Sequence, residues 1–206
     1  MFKIETVTVN AQQYLNHPDY EFEAPARAAI LHMISCQGNY EYIGSGAFGT
    51  VYGSPNSGIV YKFGEYTTNR GYLSFVKEMS KLKKHNPFLP LIHGVRIYNA
   101  GKGYRKFFVV AMERLESAGC NSPGFDVAMS VVVKLIRQGN TTSDPMPLNF
   151  MGLQFKENDA LFEAVNVVKS AHRAAQRPRN SVSYDLHGGN FMVRDRNQLV
   201  VIDPLA

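Results

Sequence analysis

Gly44-Ser45-Gly46-Ala47-Phe48-Gly49-Thr50-Val51 constrains this chain more than any other segment, because short apolar runs flank its glycines on both sides. Tyr42-Ile43 lead in and Thr50-Val51-Tyr52 lead out, the texture of two strands joined by a turn. A dinucleotide fingerprint would need a strand-to-helix turn, and GxxxxGK[ST] is absent. Without side chains at Gly44, Gly46 and Gly49, the backbone can approach a phosphate closely. Taken alone, the same pattern is an ordinary hairpin.

The following strand, Ile59-Val60-Tyr61-Lys62-Phe63, carries a lysine among apolar residues. An ammonium group there needs an anionic partner or an exit to water, as an edge-strand lysine would have. Asn69 to Lys84 places Leu73, Val76, Met79 and Leu82 three apart, which predicts a helix carrying Glu78. Glu78 can pair with Lys62, with Glu65 as a rival partner, or it can sit on a solvated face beside Lys81. Leu91 to Ile97 and Lys106 to Met112 read as strands, and Phe125 to Arg137 and Asn158 to Gln176 as helices. Gly139 to Gly152 reads as a loop. An earlier helix is expected after Pro25, through Ala28, Ile30, Leu31, Met33 and Ile34 to Cys36.

The C-terminal segment carries the second constellation. Asp185-Leu186-His187-Gly188-Gly189-Asn190 precedes two strand-like runs, Phe191-Met192-Val193 and Leu199-Val200-Val201-Ile202, and Asp203 follows the second. Asp and Asn are common turn residues, and a single pair would mean no more than that. Three polar groups delivered by one hairpin can do more. Asp185 can orient and deprotonate a hydroxyl, while Asn190 and Asp203 can hold a magnesium ion that bridges phosphates. With the glycine segment, they predict phosphoryl transfer from a nucleoside triphosphate.

With 45% apolar residues, 206 residues suffice for one core or for two small lobes sharing a cleft. A net charge of +5 favours anionic partners without choosing among them. Cys36 and Cys120 are far apart and outside metal-ligand spacing, so no disulfide framework or zinc site is indicated and a reducing cytoplasm is expected. No signal peptide or bilayer-length apolar run is present, which predicts a soluble chain without a membrane partner. Arg173, Arg177 and Arg179 lack interleaved aromatics, so direct nucleic-acid binding is not expected. His172 shares a face with Leu161, Val165, Val168 and Ala175 and reads as a packed histidine.

In its order of glycine loop, strand lysine, helix glutamate and terminal Asp-Asn-Asp set, the chain resembles the eukaryotic-type protein kinase fold. Ile43 to Gly64 and Ser183 to Ala206 most resemble the early serine/threonine protein kinases of short-tailed lytic coliphages. Asn86-Pro87-Phe88-Leu89-Pro90 resembles the segment after the kinase glutamate helix. The resemblance implies an α+β, two-lobed fold with an N-terminal extension at 1–39, a strand-rich N-lobe at 40–115 and a truncated helical C-lobe at 116–206. It implies ATP and Mg2+ as cofactors, and host protein substrates, including transcription or RNA-processing proteins, in a host bacterial cytoplasm.

By the same resemblance, Gly44, Ser45, Gly46, Ala47, Phe48, Gly49 and Val51 cover the nucleotide. Lys62 and Glu78 bind its phosphates, and Met112, Glu113 and Leu115 border the adenine as the hinge. Asp185, Lys62 and His187 are implied in catalysis, with Asn190 and Asp203 on the metal.

Departures from the family pattern are specific. Ser183-Tyr184 replaces His-Arg before Asp185, removing the arginine that docks an activation-loop phosphate. Pro204-Leu205 replaces Phe-Gly after Asp203, and proline biases Asp203 toward an extended conformation. His187 stands where protein kinases usually place lysine, as in the aminoglycoside and choline kinase-like branch; it can touch the γ-phosphate or shape the loop. The sequence ends three residues after Asp203, so an activation segment and later helices are expected to be missing. Three expectations follow: a minimal protein kinase, a small-molecule phosphotransferase, or a pseudokinase-like module that inhibits a host protein by contact.

Overall fold

A computed structural model describes residues 3–8, 41–46, 49–99, 105–117, 123–138, 149–150, 153–154, 159–177, 181–195 and 198–206. The helix expected between Pro25 and Cys36, most of the 139–152 loop, and Ala47 and Phe48 lie outside the described residues. The chain is a mixed α+β protein of two compact units, Phe2–Arg70 with Leu91–Arg114, and Gly71–Pro90 with Leu115–Ala206.

The first unit is a six-stranded sheet built from β1 (Ile4–Thr8), β2 (Glu41–Gly46), β3 (Gly49–Gly53), β4 (Ile59–Glu65), β5 (Ile92–Asn99) and β6 (Phe107–Glu113). Its order is β1-β5-β6-β4-β3-β2, so β4 and β6 are central and β2 is an edge. β2 through β6 pair antiparallel, whereas β1 lies parallel to β5 with Ile4 opposite Val95. The sequence predicted β2 to β6 and missed β1, whose pairing partner is far along the chain. Phe63, Val95, Tyr98, Phe108 and Val110 are buried, and Phe63 stacks on Phe107 with centroids 5.4 Å apart. Burying rings and β-branched residues on the central strands is the main stabilising contribution here.

In the second unit the helices are α1 (Arg70–Met79), α2 (Pro123–Gln138) and α3 (Asp159–Ala175). Its strands are β7 (Glu116–Ser117), β10 (Phe191–Arg194) and β11 (Gln198–Val201) in the order β11-β10-β7, with a separate pair β8 (Asn149–Phe150) and β9 (Leu153–Gln154). α1 buries Tyr72, Phe75, Val76 and Met79, a stripe at three- and four-residue spacing. It stops at Met79 instead of running to Lys84. There the bonds tighten to i,i+3, from the amides of Lys81 and Leu82 to the carbonyls of Glu78 and Met79, and the Ser80 hydroxyl donates to the Lys77 carbonyl.

α3 turns Leu161, Ala164, Val165, Val168, Ala171 and Ala175 inward, each at most 2% exposed. Asn86, 1% exposed, docks the 86–90 segment on this helix. Its Nδ2 donates to the Ala160 carbonyl at 2.7 Å and to Glu163 at 2.8 Å, while its Oδ1 accepts from the Phe88 amide. A buried amide needs this full set of partners. No helix among the described residues is long and apolar enough to cross a membrane.

Candidate active site

The C-terminal constellation is assembled by backbone hydrogen bonds. β10 and β11 pair from Phe191 opposite Val201 to Arg194 opposite Gln198. Just beyond the paired ends, the Ile202 amide donates to the Asn190 carbonyl at 3.0 Å, and the Asp185 amide donates to the Pro204 carbonyl at 2.9 Å. Asn190 Nδ2 then donates to the Asp185 carbonyl at 2.8 Å. Asp203 therefore sits between two residues tied to Asn190 and Asp185, and the three predicted side chains emerge from one closed ring of bonds. Proline costs this arrangement nothing at 204, because the bond uses its carbonyl and not the missing N–H.

Asn190 is 8% exposed and closes a short 3-10 turn, Gly188–Asn190, capped by His187. With Asn190 Nδ2 engaged by the Asp185 carbonyl, its Oδ1 is the end left for a cation. His187 Nδ1 accepts the Gly189 amide at 3.1 Å, so the ring hydrogen belongs on Nε2. That nitrogen lies 3.5 Å from Asp185 Oδ1 and 3.2 Å from Asn190 Nδ2. His187 shapes the turn through one nitrogen and faces the Asp185 carboxylate with the other.

Two residues that the sequence did not single out brace this hairpin. Gly71, in the first turn of α1, is where a Cβ would meet Leu205 Cβ at 2.9 Å and the Leu205 carbonyl and Val182 Cγ1 at 3.0 Å. Only glycine allows the helix to lie that close. The next residue, Tyr72, is 2% exposed; burial first, and then the Asp203 carboxylate, push its hydroxyl well above the ordinary tyrosine value. The sequence signal was a glycine opening a helix, where a packing reason should have been sought.

The glycine hairpin belongs to the sheet unit. Gly46 pairs with Gly49 at its closing end, and a register shift between Tyr42 and Gly44 marks a bulge at Ile43. A Cβ on Gly44 or Gly46 would meet nothing within 4 Å, whereas one on Gly49 would meet the Phe63 carbonyl at 2.8 Å and Lys62 Cε at 3.3 Å. Gly49 thus makes room for the stem of Lys62. Lys62 is on central β4, opposite Val51 and Val110, and only 8% exposed, so the edge-strand alternative does not hold.

Met112, the last residue but one of β6, is 7% exposed and lies opposite Val60 and Ile92. Glu113 Oε1 accepts the Leu91 amide at 2.7 Å, so this carboxylate is committed to the sheet. The amides of Glu113 and Arg114 donate to the Leu91 and Gly58 carbonyls, leaving the Leu115 amide outside these bonds. Glu78 takes the helix-face alternative: it pairs with Lys81 at 2.5 Å. It also lines an open cleft of about 380 Å³ with Phe162 and Glu163 of α3, to which none of Asp185, His187, Asn190 and Asp203 contributes.

Neither a protein-family model nor a curated protein matches the sequence. Among solved structures, a Haemophilus somnus 129PT protein named as a candidate fructosamine-3-kinase is similar at a TM-score of 0.38 and 15% identity over 81% of this chain. The chain spans 65% of that protein's length. A likeness of this size assigns neither family nor substrate.

Proposed function

We propose that this chain is a magnesium-ATP-dependent phosphotransferase that delivers the γ-phosphate to a serine or threonine hydroxyl of a protein. The observation that carries the phosphotransfer is the closed ring of bonds joining Asp185, Asn190 and Asp203. The protein acceptor, the host-directed phage role and a cytoplasmic setting rest on the resemblance of Ile43 to Gly64 and Ser183 to Ala206.

Asp185 Oδ accepts the proton of the acceptor hydroxyl. That oxygen bonds to the γ-phosphorus as the bond to the β,γ-bridging oxygen breaks, and ADP leaves. Gly44, Gly46 and Gly49 cover the triphosphate, Lys62 offsets its charge, and the Leu115 amide is the hinge donor for adenine. Asn190 Oδ1 and the Asp203 carboxylate, both hard oxygen donors, are the groups that would hold Mg2+. When bound, the ion neutralises charge developing on the phosphates. Among the described residues no three His, Cys, Asp or Glu side chains form a metal cage.

A small-molecule acceptor is the second reading, favoured by His187 facing Asp185 at 3.5 Å where protein kinases usually carry a lysine. Labelled γ-phosphate transfer in Mg-ATP, with wild type and Asp185→Ala incubated alone and with bacterial lysate, tests both. Label on protein that vanishes in the variant supports the protein kinase. Label on a low-molecular-weight compound alone moves the assignment to the second reading, and ATP binding without any transfer overturns both.

A further inference from the structure

His172 of α3 and Gln176, the residue just past its end, lie outside every motif and grip the segment that leads into Asp185. His172 Nε2 lies 3.0 Å from the Val182 carbonyl, and the His172 ring stacks on Tyr184 with centroids 4.2 Å apart and planes 19° from parallel. Gln176 Nε2 donates to the same carbonyl at 2.7 Å and approaches His172 Nε2 at 2.8 Å. The Val182 carbonyl accepts from Gln176 and, with the ring hydrogen on Nε2, from His172 as well.

The opposite edge of the segment is held separately. Ser183 exchanges backbone bonds with Ala206 at 2.8 and 3.1 Å, Tyr184 bridges Leu205, and the Asp185 amide reaches Pro204. An extended segment turns alternate side chains to opposite faces. With the Tyr184 ring turned toward α3, Ser183 and Asp185 are turned the other way. Backbone bonds at one edge fix the register of such a segment and leave its rotation about its own axis loose. A ring stacked on Tyr184 removes that freedom.

We propose that His172 is a positioning residue, which sets the direction of the Asp185 carboxylate through the stack on Tyr184 and the Val182 carbonyl. Its kinetic consequence rests on the phosphotransfer proposed above; its structural consequence does not. A helix is a suitable anchor, since a site supported from a rigid element keeps its geometry better than one carried by loop contacts.

The test compares His172→Ala, which loses both contacts, with His172→Phe, which keeps a ring over Tyr184. In nucleotide-free protein, hydrogen exchange at the Ser183 and Asp185 amides is expected to rise about tenfold or more in His172→Ala and to stay near wild type in His172→Phe. In the transfer assay, kcat falls about tenfold or more in His172→Ala with KM for ATP within about twofold, and His172→Phe recovers to within about threefold of wild type. If His172→Ala does not fold, His172→Leu replaces it with the same expected ranking below His172→Phe. Equal exchange in the unstacked and stacked variants overturns the proposal, as does a kcat loss shared by both. A wild type that transfers no phosphate overturns the proposed function alone, because the exchange comparison still decides the role of His172.

Discussion

The glycine hairpin with Lys62 and the C-terminal hairpin with Asp185 position polar groups by opposite means. In the sheet, one buried cation is set by long ladders: β3 on one side, β6 on the other, and a glycine at 49 that its stem requires. At the C-terminal hairpin, three side chains are set by single hydrogen bonds, each joining a motif residue to another or to a neighbour of one. Ladder placement is distributed over many bonds and tolerates the loss of any one. Single-bond placement concentrates the geometry in a few atoms, so small changes there should act on activity before they act on stability.

Asp185→Asn is the sharpest break between the two regions. It should lower kcat by about 10²- to 10⁴-fold, the range for loss of a general base, while the melting temperature stays within about a degree or two of wild type. An Asp185→Asn protein that melts far earlier would make Asp185 a structural residue.

Within the glycine hairpin, the contrast is between open and filled positions. Gly49→Ala should cost about 1–3 kcal/mol, since its Cβ would press on the Phe63 carbonyl, whereas Gly46→Ala should stay within about 0.5 kcal/mol. Gly46→Ala should instead raise the KM for ATP. Urea unfolding with nucleotide titration separates them, and equal stability losses would remove the distinction.

Alkaline pH tests the brace beside Asp203. Because the Tyr72 hydroxyl is held above its ordinary 10.0, the unfolded chain gives up this proton first. Stability that is complete below pH 10 should then fall by about 1.4 kcal/mol per pH unit above it. Tyr72→Phe should remove that part of the slope in unfolding measured at pH 9, 10 and 11, and an unchanged slope would place the titration elsewhere.

The smallest effect expected is at Glu78. Its partner Lys81 is 60% exposed, so Glu78→Gln should change stability by no more than about 0.5 kcal/mol. Its activity should also be near wild type. An activity loss beyond about tenfold would restore Glu78 as the phosphate-binding partner of Lys62.

How much was legible in the sequence follows the same division. Strands β2 to β6, the three described helices and the terminal hairpin announce themselves through local periodicity and turn residues. The C-terminal set was legible because its spacing already implies a hairpin whose ends meet. β1 was not, since Ile4 to Thr8 pairs with residues some ninety positions away. The end of α1 was misjudged because Leu82 continues the apolar spacing after the chain has tightened into a turn. Periodicity marks His172 as a packed residue, and it is one; what periodicity cannot say is which segment it packs against.

By itself, the sequence determined the chemistry available: which residues can hold phosphate, accept a proton or bind a hard cation, and which neighbouring residues share a turn or a helix face. Those are properties of side-chain type and of short repeats, and they need no distant partner. The tertiary structure decided the partners. Lys62 is buried because β6 covers its strand, Glu78 turns to Lys81, Gly71 lets a helix rest on Leu205, and His172 stacks on Tyr184. Each of these depends on packing between segments far apart in the chain, where steric fit and the desolvation of polar groups choose among contacts that spacing leaves equal.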